Sequence, residues 1–127
     1  MGRVVLDASA ILVLINGEAG AAAVAETLED AVVSAVNLSE VVGKLLETGM
    51  PRREAESTLG GLGLEVHPFD ETAAWSAGAL RSSTKKAGLS LGDRACLALA
   101  KELDLPTVTA DSAWAKTPVG VEVRLVR

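Results

Sequence analysis

Short β-branched runs recur along the chain, and between them lie longer stretches whose apolar residues return every three or four positions. Val4–Leu6, Val32–Val36, Leu64–Val66, Thr107–Thr109 and Val121–Val126 predict strands. The clearest predicted helix runs from Asn37 to about Thr48, where Leu38, Val41, Val42, Leu45 and Leu46 share one face before Gly49 and Pro51 end it. A second starts near Pro51, a favoured first-turn residue, and runs to the Gly60-Gly61 pair. A longer one is expected from Asp70 to about Ala87, stopped by Gly88. The next, from Leu91 to about Leu103, ends before Pro106, and a short helical turn at Ser112–Lys116 follows the fourth strand. Alternating strands and helices predict the α/β class: one domain over residues 1–127, a three-layer α/β/α sandwich with a mainly parallel central sheet. Repeats, linkers and low-complexity segments are absent from the sequence.

In an open α/β sheet, ligands bind beyond the carboxyl ends of the strands, where helix N-termini also gather. Asp7 follows the first predicted strand, Asp111 follows the Thr107 strand, and Glu40 and Asp93 fall in the first turns of their predicted helices. These four acids map to one edge of the sheet. Each has a competing reading as a cap, because acids at helix starts bond free N–H groups and complement the helix dipole. Asn37-Leu38-Ser39-Glu40 and Ser90-Leu91-Gly92-Asp93 both have the form of capping boxes, with Asn37 and Ser90 at the cap. Helical phase separates some cases. Asp93 shares the inward half of its helix with Cys96, Leu97 and Ala100, while Arg94 and Lys101 point the other way. A carboxylate aimed at apolar neighbours is costly unless it is paired or binds metal. Asp7 interrupts an otherwise apolar segment; Glu40 falls opposite its helix's apolar stripe.

If the four acids meet, two carboxylates about 4 Å apart repel by about 4 kcal/mol at an effective dielectric of 20, so a cation or retained protons are required. Oxygen-only ligands favour Mg2+ or Mn2+. Such a site suits phosphodiester hydrolysis, where the metal activates water and clamps phosphate oxygens.

Composition adjusts this picture little. The formal net charge of −5 has the wrong sign for holding nucleic acid by charge alone, but four carboxylates committed to metal leave −1 on the rest. The apolar residues are mostly Ala, Val and Leu, with Phe69, Trp75 and Trp114 the only aromatics, which predicts close helix packing through small side chains. The single cysteine, Cys96, forms no internal disulfide, and with no zinc-like spacing this favours a reducing cytoplasm. Residues around the Ala21-Ala22-Ala23 run superficially resemble a signal peptide, but Asp7 and Ser9 interrupt the apolar stretch, and Ala10–Ile15 is too short to span a membrane.

At the four acids the sequence resembles the PIN-domain family, specifically the VapC-like ribonuclease toxins of bacterial toxin-antitoxin pairs. Val4-Val5-Leu6-Asp7-Ala8-Ser9-Ala10-Ile11 resembles the family's first motif, and Asn37-Leu38-Ser39-Glu40-Val41-Val42 its second. The stretch from Gly88 to Ala100 resembles the third, with its acid at Asp93, and Thr107-Val108-Thr109-Ala110-Asp111-Ser112-Ala113-Trp114 the last. The resemblance implies a Mg2+- or Mn2+-dependent endoribonuclease, with Ser9 and Thr109 as polar auxiliaries to the carboxylates. It also implies RNA as substrate, a cognate VapB-like antitoxin, and a homodimer. The alternative is a catalytically silent PIN-like module that binds RNA or acts as a scaffold.

Other residues carry blander readings. His67 has no second histidine to form an acid-base pair and reads as structural, and Cys96 reads as a buried thiol. Arg81, Lys85 and Lys86, before the loop to Ser90, either hold RNA phosphates or complement a helix C-terminus; Arg52 and Arg53 are more ambiguous still. A receiver-like signalling domain fits poorly, because the first strand offers one acid rather than an adjacent pair and no lysine ends the Thr107 strand. A haloacid-dehalogenase-like phosphatase would need an acid where Ser9 stands, and an RNase H fold would need hairpins where a helical stretch follows Asp7.

Overall fold

The computed structural model describes residues 2–117 and 119–127. Five strands, β1 (Val4–Leu6), β2 (Ala31–Ser34), β3 (Glu65–His67), β4 (Thr107–Thr109) and β5 (Val123–Leu125), form one sheet in the order β3-β2-β1-β4-β5. Every neighbouring pair is parallel; Val5 pairs with both Val32 and Thr107, which makes β1 the central strand. The helices are α1 (Ala8–Ile15), α2 (Ala21–Ala25), α3 (Ala35–Glu47), α4 (Arg52–Gly60), α5 (Glu71–Ala79), α6 (Arg81–Thr84) and α7 (Leu91–Leu103). Strand residues alternate between two cores. Val5 and Val32 pack with Ala77 of α5 and with Cys96, Leu97 and Ala100 of α7. Val4, Leu6, Val33 and Val108 pack with Ala10, Ile11, Val41, Leu45 and Ala55 of α1, α3 and α4. The result is a three-layer α/β/α sandwich, the arrangement a parallel sheet needs to cover both faces. Among the described residues, no helix is long and apolar enough to cross a membrane.

The element boundaries depart from the sequence expectation where side chains compete for backbone groups. The predicted strand Val32–Val36 ends at Ser34, because the Ser34 hydroxyl accepts the Val36 N–H at 3.2 Å and caps α3, which starts at Ala35, two residues ahead of its expected start. Asn37 is therefore the third residue of the helix and not its cap. The third strand lies one residue later than expected, at Glu65–His67, and the fifth is shorter, at Val123–Leu125.

The helix expected from Asp70 to about Ala87 is broken at Leu80 into α5 and α6. A continuous helix would give the Ala77 carbonyl to the Arg81 N–H. Here that carbonyl accepts from the Leu80 N–H at 3.3 Å and from the Arg94 guanidinium at 3.1 Å. The helix resumes at the Leu80 carbonyl, which accepts the Thr84 N–H at 3.1 Å together with the Ser83 hydroxyl at 3.1 Å and the Thr84 hydroxyl at 2.7 Å. Arg94 is accordingly buried between α7 and α5, correcting the expectation that it points outward. Helix α7 is buried almost all round, from Arg94 to Ala100, so it has no solvent face there for Arg94 to occupy.

Candidate active site

Strands β1, β2 and β4 end at the same edge of the sheet, and α1 and α3 start there. Helix α7 leads into the beginning of β4, so its own N-terminus lies at that edge as well. Asp7 joins β1 to α1 in extended backbone and is 3% exposed. Its Oδ1 accepts the Ala10 N–H at 2.8 Å, capping α1. Its Oδ2 accepts the Thr109 hydroxyl at 2.6 Å, and the Ser9 hydroxyl lies 2.8 and 2.9 Å from the two oxygens. Both hydroxyls are held from behind: Ser9 Oγ accepts the Ala110 N–H at 2.9 Å, and Thr109 Oγ1 accepts the Asp111 N–H at 3.0 Å. Each accepts that N–H through one lone pair and keeps its single proton for the Asp7 carboxylate, which only accepts. Burial nevertheless raises the Asp7 carboxyl from 3.8 to about 6, outweighing the Thr109, Ala10 and Ser9 bonds, and the nearby Asp93 charge pushes the same way.

The other acids are more open. Asp93 is half-buried and closes a capping box at the start of α7: its Oδ2 accepts the Ser90 N–H at 2.9 Å, and its own N–H bonds Ser90 Oγ at 3.2 Å. The capping form read at Ser90 is present, whereas the one read at Asn37 is replaced by the Ser34 cap. Glu40 is exposed on α3, with Oε1 accepting the Asn37 side-chain amide at 2.9 Å. Asp111 is exposed and caps the 3-10 turn Ser112–Lys116, Oδ1 accepting the Ala113 N–H at 2.9 Å. The structure gathers Asp7, Glu40 and Asp93 around the first turns of α7, where all three charges help raise the buried Cys96 thiol above its usual range, after burial itself. Asp111 joins them through Thr109, whose hydroxyl bridges its N–H and the Asp7 carboxylate.

Among the described residues, no three Asp, Glu, His or Cys side chains converge closely enough to hold an ion directly. Each of the three open acids keeps one oxygen, Glu40 Oε2, Asp93 Oδ1 and Asp111 Oδ2, with no protein donor among the described residues. Arg81, Lys85 and Lys86 are exposed on the segment leading to Ser90 and form no salt bridge among the described residues. His67 ends β3 beside Ser34, with Nε2 2.5 Å from Glu65, and the buried Cys96 Sγ contacts Thr107 Oγ1 at 3.1 Å; neither is hydrogen-bonded to Asp7, Glu40, Asp93 or Asp111.

Two residues of this edge have roles the sequence pattern did not indicate: Asn37, read there as a cap, and Gly92. Asn37 is 1% exposed and bridges the helices, its amide nitrogen reaching the Gly92 carbonyl at 3.0 Å as well as Glu40. Gly92 leaves the space that the Glu40 carboxylate occupies. Once the cap is assigned to Ser34, the Asn37–Glu40 pair is an ordinary i,i+3 contact on one helix face, and that spacing was the available signal.

Residues 4–120 match the model of the PIN domain family. The chain belongs to that family. Among solved structures, this PIN domain is similar to a chain of the DNA-bound VapBC from Salmonella typhimurium, with a TM-score of 0.78, 20% identity and 100% of both chains covered. It is also similar to a chain of VapBC-5, a toxin-antitoxin family member from Mycobacterium tuberculosis, with a TM-score of 0.66, 24% identity and coverage of 100% of this chain and 99% of that one. FitAcB from Neisseria gonorrhoeae gives a TM-score of 0.72 at 21% identity, with 96% of each chain covered. At these identities the likeness is one of fold. No curated protein matches the chain by sequence.

Proposed function

We propose that this PIN domain is a divalent-metal-dependent endoribonuclease and the toxin of a toxin-antitoxin pair. The observation that carries the reading is the Asp7 carboxylate, buried yet supplied with hydroxyl donors, with Glu40 and Asp93 beside it at the N-terminus of α7. A cation fits these residues by chemistry: the donors are all oxygen, as Mg2+ and Mn2+ prefer, and Asp7 sits where ionisation is disfavoured without a countercharge. Mg2+ keeps several waters and takes one or two carboxylates, so it does not need three converging side chains. Asp7 and Asp93 would hold it, with Glu40 and Asp111 bonding its waters through their unengaged oxygens.

When bound, the cation supplies the Lewis acidity that activates water against a phosphodiester. The chain's own residues orient the site. Thr109 and Ser9 fix the Asp7 carboxylate in one rotamer, and the Ser90 cap fixes Asp93. Arg81, Lys85 and Lys86 offer exposed charges to the RNA backbone along the segment entering α7. The acids also offer an anchor for a basic side chain of a VapB-like antitoxin, which would block the site by occupying it.

RNA cleavage is expected to require Mg2+ or Mn2+, to leave a 5′-phosphate because the attacking group is water and not the ribose 2′-hydroxyl, and to stop when the cognate antitoxin is added. Full activity in excess EDTA, or 2′,3′-cyclic products, would overturn the metal-hydrolysis reading; undiminished cleavage in the antitoxin complex would overturn the toxin reading.

We also propose a homodimer through α5, a reading supported by Trp75, which is 75% exposed on a face with Ala74, Gly78 and Ala79. A tryptophan so open among small residues is the kind of surface a second copy covers. Light scattering after size exclusion should find wild type dimeric and Trp75→Glu monomeric with an unchanged circular dichroism spectrum. A wild type that is monomeric at micromolar concentration removes the dimer.

A further inference from the structure

We propose that Asn37 is a positioning residue for Glu40, with Gly92 as the space that makes the arrangement possible; the inference rests on the nuclease reading of the same site. Three independent observations meet here. The Asn37 amide nitrogen donates to Glu40 Oε1 at 2.9 Å and to the Gly92 carbonyl at 3.0 Å. Both partners only accept, so the NH2 end of the amide must face them, and its orientation follows from chemistry. The opposite end, Asn37 Oδ1, is buried with no donor among the described residues. A buried carbonyl left without a donor is unfavourable, so stability alone does not account for an asparagine at this point of the core.

Gly92 completes the seat. A Cβ built on it would overlap the carboxyl carbon and both oxygens of Glu40, while its backbone φ is not in the left-handed region. Glycine is needed there for room and not for conformation. Glu40 is otherwise an exposed side chain on a helix surface, free to sample many rotamers. Asn37 holds one of its oxygens against the first turn of α7, beside Asp93, and leaves Oε2 for a ligand. The same amide bond to Gly92 ties α3 to the first turn of α7, the turn that carries Asp93.

The test is a double-mutant cycle read by calorimetric Mn2+ binding, with RNA cleavage and thermal melts measured in parallel. Asn37→Ala should weaken Mn2+ binding by about 10-fold, the low end of the range for loss of an outer-shell partner, because Glu40 acts on the waters of the metal. Gly92→Ala reaches Glu40 from the other side and should do the same with the Asn37 amide in place. In a Glu40→Ala background neither change should weaken binding further, because the group they position is gone. Equal losses in both backgrounds would overturn the positioning role and leave the nuclease reading intact. A Glu40→Ala chain that binds Mn2+ like wild type while cleavage stays metal-dependent would remove Glu40, and the proposal with it. Absence of metal-dependent cleavage in wild type would instead overturn the underlying nuclease reading.

Discussion

Asp93→Asn should lower RNA cleavage by at least about 100-fold, more than loss of an orienting group, while its melting temperature in EDTA stays at or above that of wild type. The expectation follows from what the side chain does at each of its two oxygens. Oδ2 caps α7 by accepting the Ser90 N–H, and an asparagine carbonyl accepts that bond equally well, so the helix start survives. What is lost is the charge. Asp93 raises the proton affinity of Asp7, so removing it relieves a repulsion in the metal-free fold. Added Mn2+ should stabilise wild type more than the variant, since a ligand that binds only the folded state raises its stability by linkage. If Asp93 serves only as a cap, activity will survive the substitution and Mn2+ will stabilise both chains equally. A fully active Asp93→Asn chain would sink the assignment.

The stability of the metal-free chain relative to Asp7→Asn should fall as pH rises from about 4 to about 6. The Asp7 carboxyl is raised from 3.8 to about 6, first by burial, so the folded chain keeps this proton where the unfolded chain has released it. Between those values the unfolded state binds fewer protons than the folded state, and the sign of the linkage makes unfolding easier with each step in pH. The Asp7 contribution is complete below 3.8 and gone above about 6, on the order of 3 kcal/mol at 1.36 kcal/mol per unit. Glu65 works in the opposite sense, since the His67 hydrogen bond lowers its carboxyl and that support is lost as pH falls. It is present in both chains when wild type is compared with Asp7→Asn, so the difference isolates Asp7. Urea unfolding in EDTA at pH 4, 5, 6 and 7 should give a wild-type curve that drops relative to Asp7→Asn across this window. Parallel curves would overturn the account. Mn2+ at pH 7 should restore wild type selectively, because a cation favours the ionised carboxylate that burial disfavours.

The sheet edge was readable in the sequence because each acid follows a β-branched run or opens a helix, and strand–helix alternation alone puts such positions at one end of a parallel sheet. Ser90 and Asp93 were readable as a capping box because that pattern is local to four residues. Asn37 was misread for a related reason. Asn-Leu-Ser-Glu satisfies the same local pattern, but Ser34 competes for the cap and wins by bonding the Val36 N–H, which turns Asn37 inward. Arg94 and the break at Leu80 depend on each other across 17 residues, through one guanidinium and the Ala77 carbonyl, and no local pattern announces them. The phase argument failed for Arg94 because α7 lies against the sheet and against both α3 and α5, so its hydrophobic periodicity marks no single inner face. Gly92 is informative only once Glu40 is seen above it, a relation between two helices that the sequence leaves 52 residues apart.

The hydroxyl on Asp7 Oδ2 comes from Thr109, 102 residues further along the chain. Asp7, Glu40 and Asp93 all leave the ribosome before β4 exists, and β1 has no neighbour on that side until β4 docks. Contacts between such distant segments form late, since their loop-closure entropy must be met before they are rewarded. Synthesis order thus becomes a timer. A nascent chain carries three of the acids before the strand that fixes the first of them, so the hydrogen bond from Thr109 to Asp7 can close only once residues 107–109 have been made.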